Sequence, residues 1–265
     1  MSIVIRGNSG IGDSLLLYPI VKELVKDNSK QLITILTNFP EIFQTLPEKN
    51  INFHPFIKFL KVDYDCNYVP RKAITETNQY QDMVLQGHLF LDEYPEFSYL
   101  DGYKNTTQFI FNNKDKKICL IVDPYLPMNS LKCRADLMPD YSRYQEIINQ
   151  NKDKYYFITV GKRSTDYDYP LNGIDKDMRD KTIWPALCSL FKKADLIIGQ
   201  LGVFLHLAEM LDKKYYLIMN HNQANSEDEF FRTITEKKIV MKPELTTVIK
   251  DNVSESKLFE VFNGL

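Results

Sequence analysis

SIVIRGNSGIGDSLLLYPIVKELVKDNSKQLITIL, residues 2–36, leads from an apolar run through a glycine-bearing turn into a long amphipathic stretch and out into a second apolar run. Ser2 to Arg6 has the length and apolar character of a strand. Residues 13–26 carry apolar side chains at 15, 16, 17, 20, 21, 24 and 25, a stripe wide enough to bury one face of a helix. Pro19 falls inside that helix, where it is expected to bend it. QLITIL (31–36) then returns as a strand. Strand, turn, helix and strand in this order make a βα unit of a parallel sheet, so the stretch sets the fold class as α/β.

The same alternation continues outward. EIFQTL (41–46) reads as a short helix and FIKFLKV (56–62) as a further strand. Between about 64 and 112 aromatic and polar residues mix without a sustained period, and no elements are drawn. FNNKDKK (111–117), polar and charged, is the expected domain boundary. Beyond it, strands are expected at ICLIV (118–122), YYFITV (155–160), DLIIG (195–199), YYLIM (215–219) and KIVM (238–241). Helical patterns fall near 141–150, 183–193, 203–211 and 226–235, with a last one over 254–262 opened by Ser254. Two α/β halves of similar size, each starting with its own strand, predict two Rossmann-like domains facing across a cleft.

Bulk properties narrow the chemistry. The 265 residues are 44% hydrophobic, enough for a sizeable core, and 33 basic side chains stand against 35 acidic ones, a net charge of -2. That balance gives no electrostatic reason to expect a nucleic-acid or acidic-lipid partner. The four cysteines are dispersed, as are the four histidines, so neither a disulfide framework nor a zinc knuckle is indicated. No apolar run approaches the roughly 20 residues that span a bilayer, and the N-terminus lacks a signal-peptide layout, so a cytoplasmic location is expected.

The turn itself, RGNSGIGDS (6–14), admits three readings. Gly7, Gly12 and Ser14 stand at the spacing of a phosphate-binding P-loop, yet Asp13 holds the position that needs Lys, which sets like charge against phosphate. A dinucleotide fingerprint fails at Leu15, where the third glycine belongs, which disfavours an oxidoreductase. In the third reading Gly10 and Gly12 bring a backbone turn close to a ligand, while Asp13 accepts a proton from a substrate hydroxyl. Asp is equally a preferred helix N-cap, and from the residues of the turn alone cap and base stand level.

KTIWPALCSLFKKADLIIGQLGVFLHLAEML (181–211), taken with RGNSGIGDSLLLYP, resembles the bacterial heptosyltransferases of glycosyltransferase family 9. Gly10, Gly12, Asp13 and Pro19 match that family's opening pattern; Ala194 to Gly199, then Gly202 and His206-Leu207-Ala208, match its later one. The resemblance is absent over 64–112 and faint in DPYLPMNSLKCRADLMP (123–139). It implies a GT-B architecture: residues 1–116 an acceptor domain, 117–252 a nucleotide-sugar domain, and 253–265 a helix packing back on the first. It further implies inverting sugar transfer without a metal or other cofactor, with Asp13 as base and Gly10, Gly12 and Ser14 as the acceptor loop. Lys132, Arg134, Gly161, Lys162, Gln200, Gly202, Val203 and His206 become the nucleotide-sugar residues, free N–H groups of a helix starting near Val203 meeting the diphosphate.

Each has a plainer reading. His206 on an apolar helix serves equally as a packed core residue, and the three cations as solvated surface charges; Asp195 reads as capping or ending an element rather than reacting. The sequence also departs from the family at Gln200, Leu201, Gly202 and Val203, where Asp or a hydroxyl residue usually stands beside Gly. Donor and acceptor therefore stay open: a lipopolysaccharide-type saccharide or, since Lys, Asn, Ile and Tyr richness points to an AT-rich bacterial or viral genome, a modified DNA base. The alternative is a nucleotide- or sugar-binding GT-B module without turnover.

Overall fold

The computed structural model describes residues 2–7, 10–46, 50–58, 60–65, 111, 115–123, 141–162, 171–200, 202–219 and 241–250. The chain divides into two compact units, Met1–Lys104 with Thr233–Met241, and Asn105–Arg232 with Lys242–Leu265. The expected helices over 226–235 and 254–262, and all of the expected KIVM strand but Met241, lie outside the described residues.

In the first unit β1 (Ser2–Arg6) leads into α1 (Ile11–Asp27), followed by β2 (Leu32–Leu36), β3 (Ile51–His54) and β4 (Tyr64–Asp65). All four strands are parallel in the order β3-β2-β1-β4. Helix α1 is buried from Ser14 to Val21 and again at Leu24 and Val25, so its apolar stripe widens to most of its circumference, and it runs on through Pro19. The expected helix at 41–46 is a single 3-10 turn, Pro40–Ile42, after which Phe43 stacks on Tyr18 at 6.3 Å. The third strand is INFH rather than FIKFLKV. Pro55 follows His54 directly and has no N–H to give a ladder, so pairing stops there and Ile57 and Leu60 are left exposed.

The second unit carries β5 (Lys117–Asp123), α2 (Tyr141–Asn151), β6 (Tyr155–Gly161), β7 (Lys176–Asp177), α3 (Trp184–Lys193), β8 (Leu196–Gly199), α4 (Val203–Met210), β9 (Tyr215–Met219) and β10 (Thr246–Lys250). Its six parallel strands are ordered β10-β9-β8-β5-β6-β7. Counted from the first strand of the unit this is 3-2-1-4-5-6 read from the far edge, the order of a dinucleotide-binding fold. Alternation gives the sheet two buried faces. Cys119, Ile121, Tyr155, Phe157, Leu196, Ile198, Tyr216 and Ile218 pack with Tyr144, Ile147 and Ile148 of α2 in one core cluster. Leu120, Val122, Ile158, Val160, Ile197, Tyr215 and Leu217 alternate with them and are buried as well.

One device starts three of the strands. Asp63, Asp175 and Asp195 each stand just before a strand and bond twice to its neighbour. Their N–H groups donate to the carbonyls of Val4, Phe157 and Ile118 at 3.0, 2.9 and 2.9 Å. Their carboxylates accept the N–H groups of the same residues at 2.7, 2.8 and 2.7 Å. Asp195 thus caps the start of β8, one of the two structural roles its place in ADLIIG suggested.

Burial of ionisable groups in the second core gives a pH dependence. Desolvation raises Cys119 well above 9, with Asp195 adding to it; burial lifts Tyr216, helped by Tyr155 and Cys119, to about 12, and lifts Cys188 to about 12 against the pull of Lys192. A group that holds its proton longer folded than unfolded lends stability that is whole below its unfolded pKa and falls as pH climbs past it. Lys213, lowered mainly by burial, works in the opposite sense and offsets part of the loss. The denaturation midpoint is expected to hold steady up to about pH 9 and to fall between about pH 9 and pH 12. A flat midpoint across that range contradicts the buried, protonated core.

Candidate functional site

In the first unit the turn after β1 meets α1 at Gly10, the N-cap residue, so Gly12 and Asp13 lie in the first helical turn. Asp13 is therefore not the N-cap. It occupies the third helical position, where its charge meets the positive end of the helix dipole. Its carboxylate folds back over Gly10, with Oδ2 2.9 Å from where a Cβ on that residue would stand. Ser14 is buried and its hydroxyl donates to the Gly10 carbonyl at 2.8 Å, tightening the same turn. Beside it, Arg6 anchors the end of β1: Nε and Nη2 donate to the two Asp65 oxygens at 3.0 and 2.6 Å, and Nη1 donates to the Ile57 and Lys58 carbonyls. This fork fixes β4 and the 57–58 loop against β1, a role that the charge of Arg6 alone did not disclose.

In the second unit, parallel pairing brings the carboxyl ends of β8, β5 and β6 to one edge of the sheet in that order. Gly161 and Lys162 close β6, and Gly199 and Gln200 close β8, on either side of β5 and roughly 10 Å apart across two strand spacings. Strand order reverses between β5 and β8, and a crevice at such a switch point is where open α/β sheets take ligands. Lys162 is exposed there, while Lys132 and Arg134, in the segment that follows β5, lie outside the described residues.

The turn from β8 into α4 is built around two glycines. A Cβ on Gly199 would fall on the Tyr215 hydroxyl and 2.9 Å from Val122 Cβ, so this end of β8 has no room for a side chain. The Tyr215 hydroxyl donates instead to the Gln200 carbonyl at 2.7 Å. Burial, with Glu209 adding to it, raises Tyr215 well above its ordinary 10, so it remains a donor. Gly202, the N-cap of α4, has φ 153° and ψ -163°, a region open essentially to glycine, and nothing lies within 4 Å of where its Cβ would be. Val203 opens the helix, and Phe204 stacks on Phe191 of α3 at 5.9 Å.

His206 is buried in the first turns of α4, with Nδ1 3.3 Å from Glu209 Oε2. Glu209 is fully buried, and its Oε1 accepts the Lys242 N–H at 3.0 Å. Glu209 was not among the residues singled out from the sequence, although one signal was there: a lone carboxylate in VFLHLAEM, three residues after the histidine. Among the described residues no group of three or more His, Cys, Asp or Glu is placed to hold a metal ion, and no helix is long and apolar enough to cross a membrane.

Two Rossmann-like parallel sheets, the second in dinucleotide-fold order with a glycine turn at its switch point, are the units of a GT-B fold. Solved structures with that fold share it with this chain. The E. coli heptosyltransferase WaaC with ADP superposes with a TM-score of 0.62 at 8% identity, covering 100% of this chain and 97% of WaaC. The glycosyl transferase family 9 protein of Veillonella parvula gives 0.60 at 10%, covering 99% and 90%. The iron-containing dodecameric glycosyltransferase TibC of enterotoxigenic E. coli gives 0.58 at 13%, covering 82% of this chain and 58% of TibC, so the chain spans under two thirds of that protein's length. No family model and no curated protein matches the chain by sequence.

Proposed function

We propose that the protein is an inverting, metal-independent glycosyltransferase that moves a sugar from a nucleotide-sugar donor to an acceptor hydroxyl. The observation that carries this reading is the strand order of the second unit, whose switch point coincides with the Gly202–Val203 turn. WaaC and TibC lend the donor class, since their structures hold ADP-2-deoxy-2-fluoro heptose and ADP-D-beta-D-heptose.

In this reading residues 1–116 take the acceptor and 117–252 take the donor. Asp13 removes the proton from the acceptor hydroxyl as its oxygen forms a bond to the anomeric carbon, on the face opposite the diphosphate. The bond from that carbon to the phosphate oxygen breaks, and configuration inverts. The departing diphosphate collects negative charge, met by the free N–H groups at the start of α4 and by Lys132, Arg134 and Lys162. Gly10, Gly12 and Ser14 shape the acceptor turn; Gly161, Gln200, Gly202, Val203 and His206 line the donor turn. The acceptor is a saccharide of the lipopolysaccharide type or a hydroxylated DNA base. The buried thiols of Cys119 and Cys188 support a reducing, cytoplasmic setting.

Incubation with a set of nucleotide sugars, with and without EDTA, tests this directly. At least one donor is expected to be hydrolysed slowly without acceptor, at a rate EDTA leaves unchanged. Donor binding with no turnover would favour a binding module that keeps the fold, a reading motivated by the departure at 200–203.

A further inference from the structure

Glu209 is the only carboxylate in α4, and it is fully buried. A methionine or leucine would fill the place without the cost of taking a carboxylate out of water. Both of its oxygens are engaged: Oε1 accepts the Lys242 N–H at 3.0 Å, and Oε2 stands 3.3 Å from His206 Nδ1. The first contact ties α4 to the segment ahead of β10, and a neutral glutamine could make it equally well. The second is where the charge matters. An ionised carboxylate only accepts, so the ring nitrogen facing it carries the proton, and Nε2 becomes the nitrogen left for another partner.

We infer that Glu209 is a positioning residue of the donor site: by taking Nδ1–H it fixes the tautomer and rotation of the His206 ring, so that the unprotonated Nε2 is the acceptor offered to a ribose hydroxyl of the donor. The inference rests on the reading of His206 as a donor contact. A glutamine at 209 has one acceptor oxygen for two N–H groups. Turning its NH2 toward the ring selects the opposite tautomer, and turning it toward Lys242 sets donor against donor. Nothing in the sequence pattern of the turn itself asks for a carboxylate here, whereas a ring that must present one chosen nitrogen does.

Four histidines make the test tractable. Imidazole 15N spectra of the whole protein, with the His206 signals identified by their loss in His206→Gln, are expected to show a protonated Nδ1 in the unsubstituted chain and a loss or averaging of that state in Glu209→Gln. ADP and UDP titrations of the chain, each single variant and the double variant follow. His206→Gln is expected to weaken binding of at least one of them roughly tenfold, Glu209→Gln by a similar factor, and the double variant no more than either alone. An unprotonated Nδ1 in the unsubstituted chain overturns the inference, and that spectrum needs no variant at 209 to fold. Losses that multiply in the double variant also overturn it, because Glu209 then acts apart from the ring. Binding of both nucleotides unchanged in His206→Gln overturns the donor role of His206 itself, while the spectrum still reads what Glu209 does to the ring.

Discussion

Asp13→Asn is expected to lower transfer by roughly 100- to 10,000-fold, the range a positioned general base supplies, while donor affinity stays within about twofold. The substitution keeps the shape of the side chain over Gly10 and removes only its charge and basicity. Position matters to how the result is read. Because Gly10 is the N-cap and Asp13 the third helical residue, losing the carboxylate forfeits a helix-dipole interaction of about 0.3–1 kcal/mol, too little to unfold a helix whose apolar face is buried along most of its length. Steady-state rates and melting curves on the same preparations separate the two roles. Activity within a few-fold of the unsubstituted chain, alongside a small drop in melting temperature, would leave Asp13 as a helix-terminal charge and no more.

Gly199→Ala is expected to be the most damaging single-methyl change in the second unit. The added carbon would stand on the Tyr215 hydroxyl and 2.9 Å from Val122 Cβ, both in the buried interior between β5, β8 and β9. Overpacking of this kind costs about 1–3 kcal/mol, and pushing the hydroxyl aside also breaks its bond to the Gln200 carbonyl, adding about 1 kcal/mol. The turn into α4 should shift with it, so nucleotide binding weakens together with stability. Pairing the change with Tyr215→Phe removes the colliding oxygen and should recover part of the stability without recovering binding. Equal stability of Gly199→Ala and the unsubstituted chain would mean that the turn is looser than the packing around it requires.

How far the sequence carried depended on burial. Strands of the second unit were legible because parallel strands covered on both faces read as unbroken apolar runs, and ICLIV, YYFITV, DLIIG and YYLIM fall within a residue of the observed elements at each end. FIKFLKV misled because it is a short, mostly apolar run of strand length, while Pro55 had already ended the ladder at His54. Tyr64–Asp65 and Lys176–Asp177 are two residues long, below any periodic signal, and each is held by the aspartate before it. TTVIK was missed because its two threonines dilute the apolar run that marks its neighbours.

The candidate site divides the same way. Gly202 was singled out through the family pattern; that it is the N-cap of α4 with φ 153°, a backbone open essentially to glycine, came from the structure. The partners of a side chain were not legible at all. Lys242 lies 33 residues beyond Glu209, and Asp65 lies 59 beyond Arg6, separations at which only the folded chain decides who meets whom. Asp13 shows the intermediate case: its place at the start of α1 could be read, but which residue caps the helix could not.

A nucleotide sugar bound at the β5/β8 switch point should stabilise the folded chain. The most direct test is the melting temperature of the whole chain across a panel of nucleoside diphosphates and nucleotide sugars, each at about 1 mM. A ligand at about 100 times its dissociation constant adds about 2.7 kcal/mol to the folded state. At least one compound, with its sugar nucleotide at least as effective as the bare diphosphate, is expected to raise the melting temperature by several degrees. A panel in which none does would mean that the switch point takes no nucleotide sugar.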